Sequence, residues 1–344
     1  MLIQHRRCLH EIPELDRTLP KTTAYIKSVL EKLPCEIFAP TQGALCAYFD
    51  LGKDETVAFR ADMDALPIAE ATNAPYASGH EGIMHACGHD AHMAIVLTLA
   101  ENLQDAKRNV LLIFQPAEET TGGAKAICQS GVLEKYGVKR IYALHLWPES
   151  PKHEVSASVR GMMARSSEVT VEFFGKSAHI AKSEQGVDAL LAAAQFLLVA
   201  KKLEFPGILG FGKMQGGSVR NAVGDYARLE GSLRCHDDAV FADVVSQLRA
   251  LLPPNAKLHV SEGYPPMEND AVLLEQAKKL YPIEPATPSF LTDDFSEFLR
   301  RVPGIYFRLG LGGGALHTPN FDFDEKVLQT GVDLFRALLT EESA

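Results

Sequence analysis

The 344-residue chain predicts an α/β fold in which one domain is discontinuous and a second is inserted into it. Three observations lead there. Short apolar runs alternate with helical patterns through the first half, as in sheets built from parallel strand pairs. From about Arg160 the order changes to strand, helix, strand, strand, helix, strand, that of a ferredoxin-like (α+β) unit of about a hundred residues. Beyond it the first style resumes. The expected boundaries are 1–159 and 268–344 for the α/β domain and 160–267 for the inserted, lid-like domain.

Each element has its own signal. Lys21 to Leu33 places Ile26, Val29, Leu30 and Leu33 on one helical face, and Ala44–Phe49 and Thr56–Arg60 read as short strands. A helix over Ala91–Leu103 follows a His/Cys cluster. Val110–Phe114 and Ile141–Leu144 are strands, with a helix from about Gly123 to Glu134 between them. In the inserted part Glu168–Phe174, Ile208–Met214, Tyr226–Arg234 and Lys257–Ser261 read as strands, and Val187–Leu203 and Phe241–Leu252 as helices. Ala271–Leu280, strand Ile305–Arg308 and helix Glu325–Leu339 complete the first domain.

Composition narrows the function classes. A formal net charge of −10 with no Lys/Arg cluster argues against a nucleic-acid or anionic-membrane partner. The apolar stretches are too short to span a bilayer, and the first residues lack the features of a signal peptide. Six widely spaced cysteines predict no disulfide framework, which points to a cytoplasmic protein with mostly buried thiols.

The chemistry concentrates in His85-Ala86-Cys87-Gly88-His89-Asp90-Ala91-His92. Read as an extended segment, residues 85, 87 and 89 share a face, which sets Cys87 beside His89. Thiolate and imidazole suit a borderline-soft ion such as Zn²⁺. A buried Cys beside satisfied histidines is the competing reading. Other acids and histidines cluster just past strand ends, where open α/β sheets build their sites: Asp62 and Asp64, Glu118 and Glu119, His145, and His317 after a glycine loop.

Two divalent ions that share a bridging ligand need about five protein ligands and a water, with the ions ~3.5–4 Å apart. Adjacent residues point apart, so Glu118 and Glu119 can serve one site only from an irregular turn, which Pro116 and Gly122-Gly123 allow. One glutamate would then bind metal and the other stay available as a base for amide or ester hydrolysis. A solvated acidic helix start is the alternative. Asp62, Asp64, Asp90 and His92 are expected around the ligands rather than among them, with Asp90 as a helix N-cap. His85 receives no role. Gly310-Leu311-Gly312-Gly313-Gly314 lacks the Lys-Ser/Thr of a phosphate loop, so its glycines are read as letting the chain approach the site closely.

Long ordered motifs give the chain a resemblance that runs nearly end to end. They are Arg6-Arg7-Cys8-Leu9-His10-Glu11-Ile12-Pro13-Glu14, Arg60-Ala61-Asp62-Met63-Asp64-Ala65-Leu66-Pro67-Ile68, the Cys87 cluster, Gln115-Pro116-Ala117-Glu118-Glu119, His145-Leu146-Trp147-Pro148 and Leu316-His317-Thr318-Pro319-Asn320-Phe321. In these the chain resembles the metal-dependent aminoacylase/carboxypeptidase superfamily. Within it, the likeness is to the amidohydrolase branch of hippurate hydrolases, N-acetyldiaminopimelate deacetylases and auxin-conjugate hydrolases.

The resemblance implies two divalent metal ions per subunit (Zn, Mn, Co or Ni) held by Cys87, His89, Glu119, His145 and His317, with Cys87 bridging. It implies Glu118 as general base, and His179, in Gly175-Lys176-Ser177-Ala178-His179, as a donor to the tetrahedral oxyanion, acting across a dimer formed by the inserted domain. Asn221 and Arg234 match positions that hold the substrate's amide and carboxylate, a task that suits Arg through its planar fork. Without the resemblance, His179 reads as the end of a strand and Arg234 as a surface ion-pair partner. The chain departs from its relatives in Ile180-Ala181-Lys182-Ser183-Glu184-Gln185 after His179, and in Asp293-Asp294 where Glu-Asp is usual before Phe295.

The expected function is a dinuclear metal-dependent amidohydrolase that removes the acyl group, N-acetyl or aroyl, of an N-acyl amino acid by way of metal-bound hydroxide. A metallo-dipeptidase or carboxypeptidase is the alternative within the same chemistry, with Asp293 as a partner for a free substrate amine. A Cys87 nucleophile with His89 or His92 as base, and a non-catalytic metal-binding scaffold, are the readings outside it.

Overall fold

The computed structural model describes residues 1–341, so residues 342–344 of the expected 268–344 segment lie outside the described residues. It divides into two compact units, one of Met1–Met162, Glu268–Thr287 and Asp294–Ala344, the other of Met163–Met267 and Pro288–Asp293.

The first unit begins with α1 (Leu2–His10), α2 (Pro20–Leu30), β1 (Glu36–Phe38), β2 (Leu45–Phe49), β3 (Thr56–Asp62) and α3 (His89–Ala100). It continues with β4 (Asn109–Gln115), α4 (Ala124–Gln129), α5 (Val132–Lys135), β5 (Val138–Trp147) and β6 (Val155–Ser156). The second unit holds β7 (Arg165–Phe174), α6 (Ala189–Ala200), β8 (Gly207–Gly216), β9 (Tyr226–Cys235), α7 (Asp238–Ala250) and β10 (Ala256–Val260). The first unit then resumes with α8 (Ala271–Leu280), α9 (Ser296–Leu299), β11 (Gly304–Gly310) and α10 (Leu328–Leu339).

The first unit's seven-stranded sheet runs β1-β2-β4-β3-β5-β11-β6. Its four central strands are mutually parallel, and the antiparallel pairs lie toward the two edges. Every residue of β3, β4 and β11 is buried, which explains why these segments read as continuous apolar runs rather than alternating ones. Helix α3 is buried at every residue except Thr98, as a helix apolar on all sides must be. It packs against α1, α10 and β3.

Two expectations change here. The single helix over 123–134 is two, because Gly131 takes a left-handed φ of 76° between α4 and α5. His145 does not follow its strand but lies inside β5, which extends to Trp147.

In the second unit four antiparallel strands run β10-β7-β9-β8. One face buries Val169, Val171 and Phe173 against Ala193 and Phe196 of α6 and Val244 and Leu248 of α7. Asp188 and Asp237 cap the two helices through backbone N–H groups. Strand β8 is an edge, and it is exposed or half-exposed along its whole length.

Candidate metal centre

The site is built where the parallel strands end. After β4, Pro116 and Ala117 turn the chain. Ala117 carries a left-handed φ of 60°, and its carbonyl accepts the Gly122 N–H at 2.8 Å. Gly123 leaves no room for a side chain, since a Cβ would meet the Pro116 carbonyl oxygen at 2.1 Å. Asp64 holds this turn open. Its Oδ1 accepts the Glu118 N–H and its Oδ2 the Glu119 N–H, each at 3.0 Å. That is the irregular geometry two adjacent glutamates need to serve one site.

The His/Cys segment is not extended. Gly88 adopts φ 83° and α3 begins at His89, so Cys87 and His89 meet across a left-handed turn rather than along one face of a strand. The left-handed φ favours glycine there, and a Cβ would also lie 2.8 Å from Leu146 Cδ1. His317 closes the site from the loop after β11. It holds a left-handed φ of 58°, and its N–H donates to the Ala86 carbonyl at 2.8 Å. A non-glycine residue in that region is strained, as residues at functional sites often are.

Hydrogen bonds show which ring nitrogens face inward. His89 Nδ1 donates to the Asp64 carbonyl at 2.8 Å, and His145 Nδ1 donates to the Leu146 carbonyl at 2.7 Å. Each therefore presents Nε2 as a lone pair. His145 Nε2 and His317 Nε2 both lie 3.4 Å from Cys87 Sγ, and His317 Nε2 lies 3.2 Å from Glu119 Oε1. His89 Nε2 stands 3.9 Å from the same carboxylate oxygen. His89 Nε2 and Glu119 Oε1 are buried without a hydrogen-bond partner. The Cys87 thiol, the Nε2 lone pairs of His89 and His145, the Glu119 carboxylate and His317 Nε2 thus converge on one place, and a divalent cation satisfies that arrangement. Ligand atoms of Cys87, His89 and Glu119 lie within 4.8 Å of one another.

The electrostatics favour positive charge at this place. Burial alone would lower His89, but Asp62, Glu119 and Asp64 hold it above its ordinary value. Burial would raise Glu119, yet His317 and His89 bring it below the usual range. Burial, with help from the neighbouring His92, pushes His145 down to about 3, which keeps it neutral and ready to ligate. Burial and then Glu119, Glu118 and Asp62 push the Cys87 thiol well up, so it is a poor nucleophile on its own and needs a cation to become thiolate.

The model of Peptidase family M20/M25/M40 matches residues 58–341. The chain belongs to that family. It is similar to an N-acetyldiaminopimelate deacetylase from Oceanobacillus iheyensis, with 33% identity over 98% of each chain. It is also similar to an N-acetyl-L-cysteine deacetylase from Bacillus subtilis, with 35% identity over 95% of this chain and 84% of the relative. Among solved structures, a dinuclear metal binding peptidase of the M20 family from Bacillus subtilis matches with TM-score 0.90 and 30% identity, covering 98% of this chain and 96% of the other.

Around this cluster of the M20/M25/M40 family member lies a ring of buried charge. His92 donates from Nδ1 to Asp62 Oδ1 at 2.6 Å and accepts the Leu146 N–H on Nε2 at 3.0 Å, so both its nitrogens are engaged. Burial would raise Asp62, but His89, Arg60 and His92 hold it well below the carboxylate range. Arg60 donates to Asp62 at 2.7 Å, to Gln115 at 2.9 Å and to Asp294 at 3.2 Å, and Asp294 also accepts the Ala124 N–H at 2.8 Å. Sequence reasoning missed Arg60 and Asp294 as supports of the site. The available signal was an arginine inside an otherwise apolar strand. Asp90 is not an N-cap, a place that Gly88 takes. Its carboxylate instead meets Arg6 and His10.

The other expected site residues belong to the second unit. His179 and Asn221 lie on adjoining loop strands, since the Asn221 carbonyl accepts the Ile180 N–H at 3.0 Å and Val223 N–H donates to Ala178. Both are exposed. His179 Nδ1 accepts the Ala181 N–H at 3.1 Å, which puts the ring proton on Nε2. Arg234, on β9, donates to the Phe290 carbonyl at 2.8 Å.

Proposed function

We propose that this protein is a metal-dependent amidohydrolase that cleaves the amide bond of N-acyl amino acids, N-acetyl substrates foremost. The observation that carries it is the convergence of Cys87 Sγ, Glu119 Oε1 and the Nε2 atoms of three histidines beside a second, adjacent glutamate. Deacetylases of N-acetyl amino acids among the similar proteins support the substrate class.

Cys87, His89, Glu119, His145 and His317 would hold two divalent ions, and Zn²⁺ is the first choice for a thiolate and imidazole set. When bound, the ions supply Lewis acidity toward the carbonyl and an acidified water. Glu118 takes the proton of the attacking water and returns it to the departing amine nitrogen. His179, with its proton on Nε2, donates to the oxygen that gains charge in the transition state, while Asn221 and Arg234 bind the substrate's amide and carboxylate.

The first unit serves as the catalytic domain expected over 1–159 and 268–344, and the second unit, Met163–Met267 with Pro288–Asp293, serves as the inserted, ferredoxin-like lid expected over 160–267. Its exposed edge strand β8 and the apolar side chains of Leu191, Leu198 and Val199 on α6 support a homodimer through this unit, in which His179 serves the partner's site. All six cysteines are free thiols, which supports a cytoplasmic setting. Among the described residues no helix is long and apolar enough to cross a membrane.

The test is Glu118→Gln. Metal content should equal that of the wild type, and turnover of N-acetyl amino acids should fall about 10²–10⁴-fold, the contribution of a general base. Full activity in this variant overturns the assignment.

A further inference from the structure

The N-terminal motif Arg6 to Glu14 lies outside the ligand set, yet its first arginine reaches both sides of the site. Arg6 is 1% exposed. Its Nε donates to Asp90 Oδ2 at 3.0 Å, Nη1 to Glu325 Oε1 and to the Tyr76 hydroxyl at 3.1 Å each, and Nη2 to Asp322 Oδ1 at 3.0 Å. The guanidinium carbon lies 4.9 Å from the ring centroid of Tyr76 and 4.5 Å from that of Phe323. Asp90 follows His89 directly in the first turn of α3, and Asp322 lies five residues beyond His317.

We propose that Arg6 is a positioning residue of the metal centre, a brace that fixes the His89 turn and the His317 loop at the separation both ligands need. His89 enters the site on a rigid buried helix, whereas His317 comes from a glycine-rich loop, holds a strained backbone and is half exposed. The loop needs an anchor. Arg6 supplies it with a planar fork whose separate N–H groups reach α3 and the 322–325 segment at once. Arg6 acts beside two backbone anchors, the His317 N–H on the Ala86 carbonyl and the Ala71 N–H on the Pro319 carbonyl, each at 2.8 Å, and Tyr76, from the same segment as Ala71, donates to Asp322 Oδ2 at 3.2 Å. A lysine keeps the charge but offers a compact point donor, so it cannot span both sides with the same geometry.

This inference rests on the reading of the cluster as a metal site, and the test separates the two. Zn²⁺ is titrated into metal-free full-length protein in competition with a chromophoric chelator, for wild type, Arg6→Lys and Asp322→Asn. Wild type takes up two ions. Arg6→Lys binds at least one of them about 10–100-fold more weakly, the usual effect of removing an outer support, and Asp322→Asn weakens the same ion by a smaller factor. Folding is checked by circular dichroism. Folded Arg6→Lys that keeps both wild-type affinities, even with a lowered melting temperature, overturns the proposal and leaves Arg6 a stabilising ion pair. If Arg6→Lys does not fold, unchanged Zn²⁺ affinity in Asp322→Asn overturns it in the same way. Failure of the wild type to bind Zn²⁺ instead removes the metal reading, and this inference with it.

Discussion

His92 donates from Nδ1 to Asp62 Oδ1 at 2.6 Å, and this bond sets His92 apart from the neighbouring His89. Asp62, His89, His92 and His145 offer donor atoms within 4.8 Å of one another, which makes them a metal cluster by proximity alone. The Leu146 N–H occupies His92 Nε2, so this imidazole has no lone pair left to give. His89 keeps Nε2 pointed at the site. His92→Gln should therefore retain the wild-type metal stoichiometry while losing about 1–3 kcal/mol of stability, the cost of disturbing a buried hydrogen-bonded pair. His89→Gln should lose an ion. Elemental analysis with urea unfolding distinguishes them, and an ion lost from His92→Gln would contradict this account.

Gly88 makes the ligand turn possible, and its replacement should be costly. A methyl group there meets Leu146 at 2.8 Å on a backbone with φ 83°. Gly88→Ala should lose about 1–3 kcal/mol through backbone strain, and Zn²⁺ affinity should fall with it because Cys87 and His89 flank the glycine. A variant with wild-type stability and affinity would show that the turn is softer than described.

Much of this was legible in the sequence, for physical reasons. Strands β3, β4 and β11 are buried on both faces, so their apolar runs stand out. Residues 85–89 read as extended, and they are not, because a single left-handed glycine, Gly88, overrides the alternation rule. The Glu118–Glu119 turn was foreseen from Pro116 and the glycine pair, but not its anchor. Asp64 reaches it through backbone N–H groups, and pairings between side chain and backbone across 54 residues leave no mark on residue types. Arg60 stands out as a charge in an apolar strand, but its partner Asp294 lies 234 residues away, and nothing in the local pattern links the two.

His10 should give stability a pH dependence of definite sign. Burial would lower its pKa, but Asp90, 2.8 Å from Nδ1, raises it above the ordinary value of about 6.5. The folded state then holds the proton more tightly than the unfolded chain. The resulting stability is complete below about pH 6.5 and is lost as pH climbs through the raised folded value. The difference in unfolding free energy between wild type and His10→Gln should shrink as pH rises from 6 to above neutrality. A difference that grows over that interval contradicts the raised value.

Asp294→Ala should expose how much the buried charge ring matters. It leaves Arg60 and the Ala124 N–H short of an acceptor in the interior. Breaking a buried pair from one side costs about 3–5 kcal/mol, and denaturant melts should show a loss on that order. A change under 1 kcal/mol would mean that Asp62 alone compensates Arg60.

The most direct measurement is hydrolysis itself. Purified protein is incubated with a pooled panel of N-acyl amino acids and dipeptides, with and without a chelator, and mass spectrometry scores each release. The account predicts chelator-sensitive loss of N-acyl amino acids, N-acetyl substrates among them, with activity restored by added Zn²⁺ or Mn²⁺. Cleavage of dipeptides alone, or hydrolysis that persists in chelator and is abolished by thiol alkylation, would contradict it.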